Sequence, residues 1–419
     1  HSMFHEITRN PVSAARKSLL TGGASALAFA AVFAATPALA APCGTVQGVY
    51  APCDGATTPG SGDFTNNSEI ISTTDNDVPA IDVQTGVNIG VLNNSYGARI
   101  VAQGVGGIGL RSSGRIGILD NFEQIYGTSY AVEVTQSGVM STINNNGNIL
   151  AQNTGLFVNG GFVGVLNNIG RISANSGIYN AGQIDRIANS GTIFGTGANA
   201  ISNDRDSDIL VLLNNAGGII DGRSKAIYNG GTIGELTNHG TITASGTTGI
   251  RNLANIVTLT NTGTIAGAVH GIWNINSTFG QAVITMLDNS GTIRGDSELG
   301  IINNIGAAIG TLTNRAGGVI TGVRAGMQNY GTLTTLNNAG TISGRSGIDN
   351  SIGTIEALTN SGIIKGQLSN GISNSATITS FINEATGQIS GRGRGIWTRG
   401  QIGTLTNHGS ITSSGYGVA

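Results

Sequence analysis

Hydrophobic and polar residues recur in a fixed order along most of this sequence. From about residue 85, an apolar residue, any residue and then Asn form a triplet that repeats at spacings of 21 to 28 residues. About fourteen copies are present, with a mean spacing near 24 residues, and a repeat of this length is typical of a solenoid. Glu384 is the one departure from Asn at the third position. The third residues are Asn94, Asn121, Asn145, Asn168, Asn189, Asn215, Asn238, Asn261, Asn289, Asn314, Asn338, Asn360, Glu384 and Asn407.

Each repeat contains three short stretches in which apolar and polar residues alternate. Residues 326–329, 333–338 and 340–344 show this most clearly. Alternation with a period of two indicates half-buried strands. Three strands per repeat, each stacked on the same strand of the next repeat, predict an all-β right-handed parallel β-helix with a triangular section. At about 4.8 Å per coil, about fourteen coils form a rod of roughly 65 Å.

A second Asn column and an Ile column follow from the same alignment. Asn tolerates the left-handed backbone of a corner, and stacked amides can bond along a column. The second Asn column is predicted to close the first strand, and the Ile column to fill the core. The Asn column is Asn159, Asn180, Asn203, Asn229, Asn252, Asn274, Asn303, Asn329, Asn350 and Asn374, with Thr398 after it. The Ile column is Ile193, Ile220, Ile242, Ile265, Ile293, Ile320, Ile342, Ile364, Ile389 and Ile411.

The first 85 residues differ from the repeats. An apolar stretch over residues 19–35 and a small-residue site ending at Ala40 predict a signal peptide within residues 1–40, behind a short cloning remnant, and therefore export. Residues 41–85 match the repeat poorly and are predicted to cap the N-terminal end of the β-helix, which then covers residues 86–419. Cys43 and Cys53 are the only cysteines and are predicted to form a structural disulfide in this cap.

Composition limits the functions that the chain can have. Charged residues make up only 10% of the sequence, the formal net charge is −2, and no long basic or acidic run is present. This balance excludes nucleic acid as an expected partner. The histidines are isolated in sequence, so a Ser-His-Asp arrangement has no members. The sequence therefore predicts no enzyme activity, no cofactor and no metal.

Two polar stretches have a chemical interpretation that we consider weaker than a structural one. Residues 204–208 hold three Asp in a loop that the alignment makes unusually long, and their carboxylates could bind Ca²⁺. The interleaved Arg205 and the missing Gly-rich calcium repeat favour a solvated loop. Residues 295–299 resemble the nucleophile block of GDSL esterases around Ser297. Glu298 interrupts that block, and the downstream Asp-x-x-His of those enzymes is missing.

The export signal, together with repeats such as Gly-Thr-Ile-Ser-Gly from Gly340 and Leu-Thr-Asn-Ser-Gly from Leu358, resembles the passenger domain of bacterial type V autotransporters. That group includes pertactin and self-associating adhesins. The resemblance covers the whole chain in architecture, and its repeats are specific for the fold but not for an activity. It implies export through the periplasm to the outer membrane, and then display on the cell surface or secretion. Its own C-terminal β-barrel is expected beyond this chain, which ends inside a repeat.

The function that the resemblance implies is that of an adhesin or stalk associated with virulence. Its partner is expected to be a host-cell surface or matrix protein, or a second copy of the chain. One alternative is a scaffold for an esterase or protease domain encoded beyond Ala419. A less favoured alternative is a β-helix that acts on polysaccharides, which would need clustered Asp, Lys and Arg on one outward face.

An exposed tripeptide is the first candidate binding site. Arg294, Gly295 and Asp296 form the sequence that integrins recognise when it is displayed on a turn. The repeat places it just after the strand ending near Ile293, where the geometry predicts an exposed corner. A turn without a binding role is the alternative.

An aromatic stripe is the second candidate. Tyr179, Tyr228 and Trp273 are predicted to occupy the outward position of the first strand on alternate coils, about 10 Å apart. Such a stripe could stack on sugars or bind a partner. Aromatic rings that only cover the face of a sheet are the alternative, and the one that composition favours.

Overall fold

The computed structural model describes residues 58–73, 77–278 and 280–415. These residues form 44 short strands. The first fifteen are β1 Gly62–Asn66, β2 Glu69–Ser72, β3 Pro79–Val83, β4 Asn88–Asn94, β5 Arg99–Ala102, β6 Ile108–Ser112, β7 Arg115–Asn121, β8 Gln124–Gly127, β9 Tyr130–Val134, β10 Val139–Asn145, β11 Asn148–Ala151, β12 Thr154–Val158, β13 Phe162–Asn168, β14 Arg171–Ala174 and β15 Ser176–Asn180. The next fifteen are β16 Gln183–Asn189, β17 Thr192–Gly195, β18 Ile201–Asn203, β19 Asp208–Asn214, β20 Ile219–Gly222, β21 Lys225–Asn229, β22 Thr232–Asn238, β23 Thr241–Ala244, β24 Thr248–Asn252, β25 Asn255–Asn261, β26 Thr264–Gly267, β27 His270–Asn274, β28 Val283–Asn289, β29 Thr292–Gly295 and β30 Leu299–Asn303. The last are β31 Ala308–Asn314, β32 Val319–Gly322, β33 Ala325–Asn329, β34 Thr332–Asn338, β35 Thr341–Gly344, β36 Ser346–Asn350, β37 Thr354–Asn360, β38 Ile363–Gly366, β39 Ile372–Asn374, β40 Thr377–Asn383, β41 Gln388–Gly391, β42 Ile396–Thr398, β43 Gln401–Asn407 and β44 Ser410–Ser413.

Every third strand belongs to the same sheet, which confirms the predicted parallel β-helix. Sheet 1 runs from β1 through β4 to β43 with 15 strands, sheet 2 from β2 to β44 with 15, and sheet 3 from β3 to β42 with 14. Neighbouring strands pair in parallel within each sheet. Sheet 1 strands are seven residues long in most coils, whereas sheet 2 strands have four. The described residues contain no helix of the length and hydrophobicity that a membrane span requires.

The core fills the space between the three sheets with one layer of aliphatic side chains per coil. In the coil from β19 to β21, Ile209 and Leu212 of sheet 1, Ile220 of sheet 2 and Ile227 of sheet 3 are all completely buried. The predicted Ile column lies on sheet 2, and its members are buried as far as Ile389. The repeated residues therefore form one continuous hydrophobic core, as stacking of single coils requires.

A ladder of buried Asn closes sheet 1. The side-chain Nδ2 of each Asn donates to Oδ1 of the Asn one coil later, over 2.7–2.8 Å. The same Nδ2 groups also donate to backbone carbonyls at the corner, so the amides are satisfied although they are buried. The buried members are Asn66, Asn94, Asn121, Asn145, Asn168, Asn189, Asn214, Asn238, Asn261, Asn289, Asn314, Asn338, Asn360 and Asn383, and the ladder ends at the exposed Asn407.

A second, shorter Asn ladder closes sheet 3. It begins at Asn180 and continues to Asn374, with Nδ2 to Oδ1 distances of 2.8–2.9 Å. Asn374 then donates to Oγ1 of Thr398 over 3.1 Å, so Thr398 replaces Asn as expected. All bonds of both ladders run from one coil to the next in the same direction. Each corner amide therefore depends on its neighbours in both directions.

Three positions of the predicted columns were wrong. Asn214 and Asn383 are the ladder members, not Asn215 and Glu384, because strands β19 and β40 lie one residue earlier than the triplet alignment put them. Glu384 is therefore not a break in the repeat. In the second column Val158 pairs with Asn180, and Asn159 lies outside the ladder, where its Nδ2 donates to Glu133.

The β-helix also begins earlier than the predicted boundary. Strands β1, β2 and β3 lie within residues 41–85 and form the first coil, since they pair with β4, β5 and β6. The predicted signal peptide, Cys43 and Cys53 lie outside the described residues.

Candidate binding face

The outer face of sheet 3 carries the chemically most varied side chains, in two columns that we call ladder A and ladder B. Ladder A is the first residue of these strands in most coils, and ladder B is the last residue but one of each strand. Ladder A includes Tyr130, Thr154, Ser176, Lys225, Thr248, His270, Leu299, Ala325 and Ser346. Ladder B is Asp82, Arg111, Glu133, Phe157, Tyr179, Ser202, Tyr228, Arg251, Trp273, Ile302, Gln328, Asp349, Ser373 and Trp397.

The structure brings Tyr179, Tyr228 and Trp273 together on ladder B as the spacing predicts. Ser202 separates the two tyrosines, and Arg251 separates Tyr228 from Trp273, so the rings lie on alternate coils. All three are partly buried. The face is therefore not a bare aromatic stripe, because polar residues alternate with the rings.

Tyr179 is held by its neighbours on both sides. Its ring meets Phe157 edge-on, with centroids 5.4 Å apart, and its hydroxyl donates to Asp204 Oδ2 over 2.7 Å. Burial, followed by the bond to Asp204, raises the pKa of Tyr179 to about 12. The hydroxyl of Tyr179 thus connects ladder B to the corner at Asp204.

Trp273 is likewise packed against neighbouring side chains. The guanidinium carbon of Arg251 lies 4.7 Å from the centroid of the Trp273 ring, within the range of a cation–π contact. His270 meets the indole edge-on at 5.3 Å. The indole also packs against a small apolar cluster formed by Leu299, Ile302 and Ala325 on the next two coils. The Trp273 ring therefore covers the face of the sheet. This is the arrangement described by the alternative interpretation, in which the aromatic rings have no binding role.

Unpaired polar atoms concentrate beside this tryptophan. Among the described residues, seven buried side-chain polar atoms lack a hydrogen-bond partner, and four of them belong to β24 and β27. We call these residues the orphan cluster. They are Thr248 (Oγ1), Arg251 (Nε), His270 (Nδ1) and Trp273 (Nε1). Leaving a buried polar group unpaired costs about 1–3 kcal/mol. The orphan cluster is thus a local departure from the satisfied hydrogen bonding of the Asn ladders.

Two cations lie at the orphan cluster: Arg251 is one of its members, and Lys225 borders it. Lys225 precedes Thr248 on ladder A, and Arg251 follows Tyr228 on ladder B. Within the described part of the chain, neither has an ion pair with a carboxylate; the Lys225 ammonium donates to Ser224 Oγ. Burial, followed by the charge of Arg251, lowers the pKa of Lys225. The site therefore holds positive charge that the protein leaves uncompensated.

His270 is the one titratable group at the centre of this face. Burial lowers its pKa, the charge of Glu298 opposes this shift, and the charge of Arg324 adds to it. Glu298 and Arg324 themselves form a loose, half-exposed ion pair of 3.8 Å. The neutral form of His270 is therefore favoured in the folded protein.

No protein-family model matches this chain, and neither a curated protein nor a solved structure is significantly similar to it.

The tripeptide Arg294-Gly295-Asp296 lies at an exposed corner, where the repeat predicts it. Arg294 and Gly295 end β29, and the side chains of Arg294 and Asp296 are half exposed. Arg294 Nε lies 2.8 Å from Asp296 Oδ1, so the two charged groups of the tripeptide pair with each other. A receptor would have to break this ion pair to bind both groups. Integrin binding stays a prediction.

The remaining polar candidates have structural partners. Asp204 accepts the Tyr179 bond, and Arg205 lies 3.7 Å from Asp206. The loop at residues 204–207 is not unusually long, because the corner at residues 304–307 has the same length and the corner at 275–282 is longer. Ser297 Oγ donates to the Ala268 carbonyl. The described ranges contain no group of three or more His, Cys, Asp or Glu that could hold a metal ion.

Sequence reasoning missed Lys225, Thr248, Arg251 and His270 as members of one site. The signal was available in the register of the second Asn ladder. Counting back one residue from Asn252 gives Arg251, and counting back four from Asn252 and Asn274 gives Thr248 and His270.

Proposed function

We propose that this chain is the surface-exposed passenger of a type V secretion system, acting as an adhesin or stalk that binds a host-cell or matrix protein, or a second copy of itself. The observation that carries the proposal is a Thr-rich outer face on sheet 1 between β31 and β43, where Glu356 of β37 is the one charged residue in the five strands. Three columns of residues on this face, fifteen positions in all, include nine Thr and no charged residue. We call it the threonine face. Its members are Ala308, Thr332, Thr354, Thr377 and Gln401; Thr311, Thr335, Ala357, Ser380 and Thr404; and Thr313, Asn337, Thr359, Ile382 and Thr406.

The threonine face suits association between long, flat surfaces. Burying an unpaired charge at an interface is costly, and a partner that covers the threonine face meets only one charged side chain, Glu356. Thr side chains are short and lose less conformational entropy when ordered than Lys, Arg or Gln. Thr311 and Thr335 occupy the same column on successive coils about 4.8 Å apart, so a partner meets hydroxyl groups at a regular spacing.

The predicted export signal and the low charge of the chain agree with this role. A β-helix of this kind places its side chains on long outward faces, and binding along a face needs no deep pocket. The resemblance of the repeats to autotransporter passengers supports display at the cell surface.

The proposal is tested by displaying the full chain on bacterial cells and measuring both cell aggregation and adhesion to host cells. A triple variant, Thr311→Lys, Thr335→Lys and Thr404→Lys, adds repelling charge to the threonine face and is expected to abolish at least one of these. The matched control adds three Lys to the outer face of sheet 2 over the same coils, as Thr321→Lys, Thr341→Lys and Thr412→Lys. Wild-type levels of both aggregation and adhesion in the first variant would contradict the proposal.

A further inference from the structure

The orphan cluster differs from the coils beside it in a way that packing alone does not explain. On the next coil, ladder A has Leu299 where it had His270, and ladder B has Ile302 where it had Trp273. Leu299 and Ile302 are buried and apolar, with no polar side-chain atom to satisfy. The same backbone thus accepts apolar side chains at these two columns. The unpaired polar groups of β24 and β27 therefore lower the stability of the fold, whereas the apolar Leu299 and Ile302 do not.

Thr248 shows this most clearly. It is completely buried between Lys225 and His270, and its hydroxyl has no partner in the described residues. A valine of the same shape would fill this position without that cost. An unpartnered buried hydroxyl beside Lys225, which has no ion pair among the described residues, is a feature of sites that bind polar ligands rather than of a packed sheet surface.

The charges at the site select the class of ligand. Lys225 and Arg251 lie on adjacent strands of the same sheet, and their like charges repel. Burial, followed by the charge of Arg251, lowers the pKa of Lys225. The nearby Glu298 is engaged by Arg324, which leaves the two cations uncompensated. An anionic group bound between them would relieve this repulsion and accept charge-assisted hydrogen bonds.

The flanking rings and the direction of the ladder indicate the shape of the ligand. Tyr228 and Trp273 stand on either side of Arg251 along ladder B. Ladder B runs along the stacking direction of the coils at about 4.8 Å per coil, similar to the length of a pyranose unit in an extended chain. Pyranose rings pack against aromatic side chains, while their acidic substituents pair with cations.

We propose that the outer face of sheet 3 around Lys225, Thr248, Arg251 and Trp273 binds an acidic polysaccharide, with its carboxylate or sulfate group between Lys225 and Arg251. The inference adds a ligand class to the proposed adhesin function and rests on that function for its biological meaning. It uses a different face from the threonine face, so the two can fail separately.

The test measures binding by the purified full chain to polygalacturonate, which bears carboxylates, to dextran sulfate, and to neutral dextran. The two tryptophans of the chain are Trp273 and Trp397, so a Trp397→Phe background makes Trp273 the only tryptophan reporter. Saturable binding of one or both acidic polymers with a change in Trp273 fluorescence is expected, and the polymer that binds identifies the anionic group. Equal binding of neutral dextran, or no binding of either acidic polymer, overturns the proposal.

Variants separate a built site from general attraction to cations. Lys225→Gln with Arg251→Gln is expected to weaken binding by about tenfold or more, because two charge-assisted contacts are lost. The control, Arg345→Gln with Arg392→Gln, removes the same charge from exposed positions and should bind like wild type. Thr248→Val is expected to weaken binding while keeping the side-chain shape. An equal loss in the control, or unchanged binding in the Lys225 and Arg251 variant, overturns the proposal. If the Lys225→Gln and Arg251→Gln variant loses polymer binding while cell aggregation persists, then polymer binding and the association proposed for the threonine face depend on different surfaces.

Discussion

The guanidinium carbon of Arg251 lies 4.7 Å from the ring centroid of Trp273, on the neighbouring strand of sheet 3. The Arg251 Nε and the Trp273 Nε1 are both buried without hydrogen-bond partners in the described residues. Burial of these two side chains therefore costs free energy, because two polar atoms are left unpaired. The cation–π contact at the same position is favourable and opposes this cost. The predictions below follow from that balance and from the Asn ladders that frame it.

Removing the orphan hydroxyl should stabilise the coil that carries it. Thr248→Val replaces an unpaired buried group with an apolar one of the same shape, and we expect a gain of about 1 kcal/mol in local stability. Native-state hydrogen exchange of the β24 backbone amides measures this gain. A loss of protection would show that Thr248 Oγ1 has a partner.

Acid should weaken the same region through His270. Burial lowers the pKa of His270 below its usual 6.5, so in the folded protein the imidazole binds a proton less readily than in the unfolded chain. Stability is then fully present above pH 6.5 and falls as the pH drops below that value. The emission of Trp273 in a Trp397→Phe background should report loosening as the pH falls below 6.5. His270→Leu, which copies Leu299, should remove this dependence, whereas a dependence that persists in the variant would assign it to other groups.

Breaking the Asn ladder should be costly. Asn238→Ala leaves Asn214 Nδ2 without its 2.8 Å acceptor and Asn261 Oδ1 without its donor. Asn214 Nδ2 keeps its bonds to the Gly218 and Thr241 carbonyls, so Asn261 Oδ1 is the group left unsatisfied, and we expect a local loss of about 1–3 kcal/mol. Hydrogen exchange in β22 and β25 measures it, since stacked coils need not unfold in one step. Asn337→Ala, at an exposed position on sheet 1, should change protection little.

Tyr179 should titrate later than an ordinary tyrosine. Its pKa is raised to about 12 by burial and by the hydrogen bond to Asp204, so its absorbance change on ionisation should come at higher pH than that of an exposed tyrosine. Asp204→Asn should move the titration to lower pH by removing the negative charge. A titration unchanged by that substitution would contradict the role of the Asp204 contact.

The repeat pattern determined the fold because it is local. Ile and Leu at fixed intervals specify strands whose side chains point into the core, and Asn specifies the corner that follows. Because every repeat has the same pattern, each coil stacks on the next. Register errors arose where two candidates stood side by side, as with Asn214 and Asn215, because a triplet cannot choose between adjacent amides. The strand register resolves them, since Leu212 rather than Leu213 enters the core.

The candidate site was only partly accessible from sequence. Tyr228 and Trp273 could be placed by spacing, because each precedes a corner Asn. The orphan cluster could not, because whether Thr248 or His270 finds a partner depends on side chains from three coils that lie more than twenty residues apart. The sequence also gave no indication that Arg251 covers the Trp273 ring.

We propose that the threonine face mediates binding, including association between copies of the chain. Analytical ultracentrifugation of the purified full chain over a range of concentrations tests it most directly. The account predicts that wild type and the sheet 2 control associate as concentration rises, and that the Thr311→Lys, Thr335→Lys and Thr404→Lys variant sediments as a monomer. Identical concentration dependence in all three proteins would contradict it.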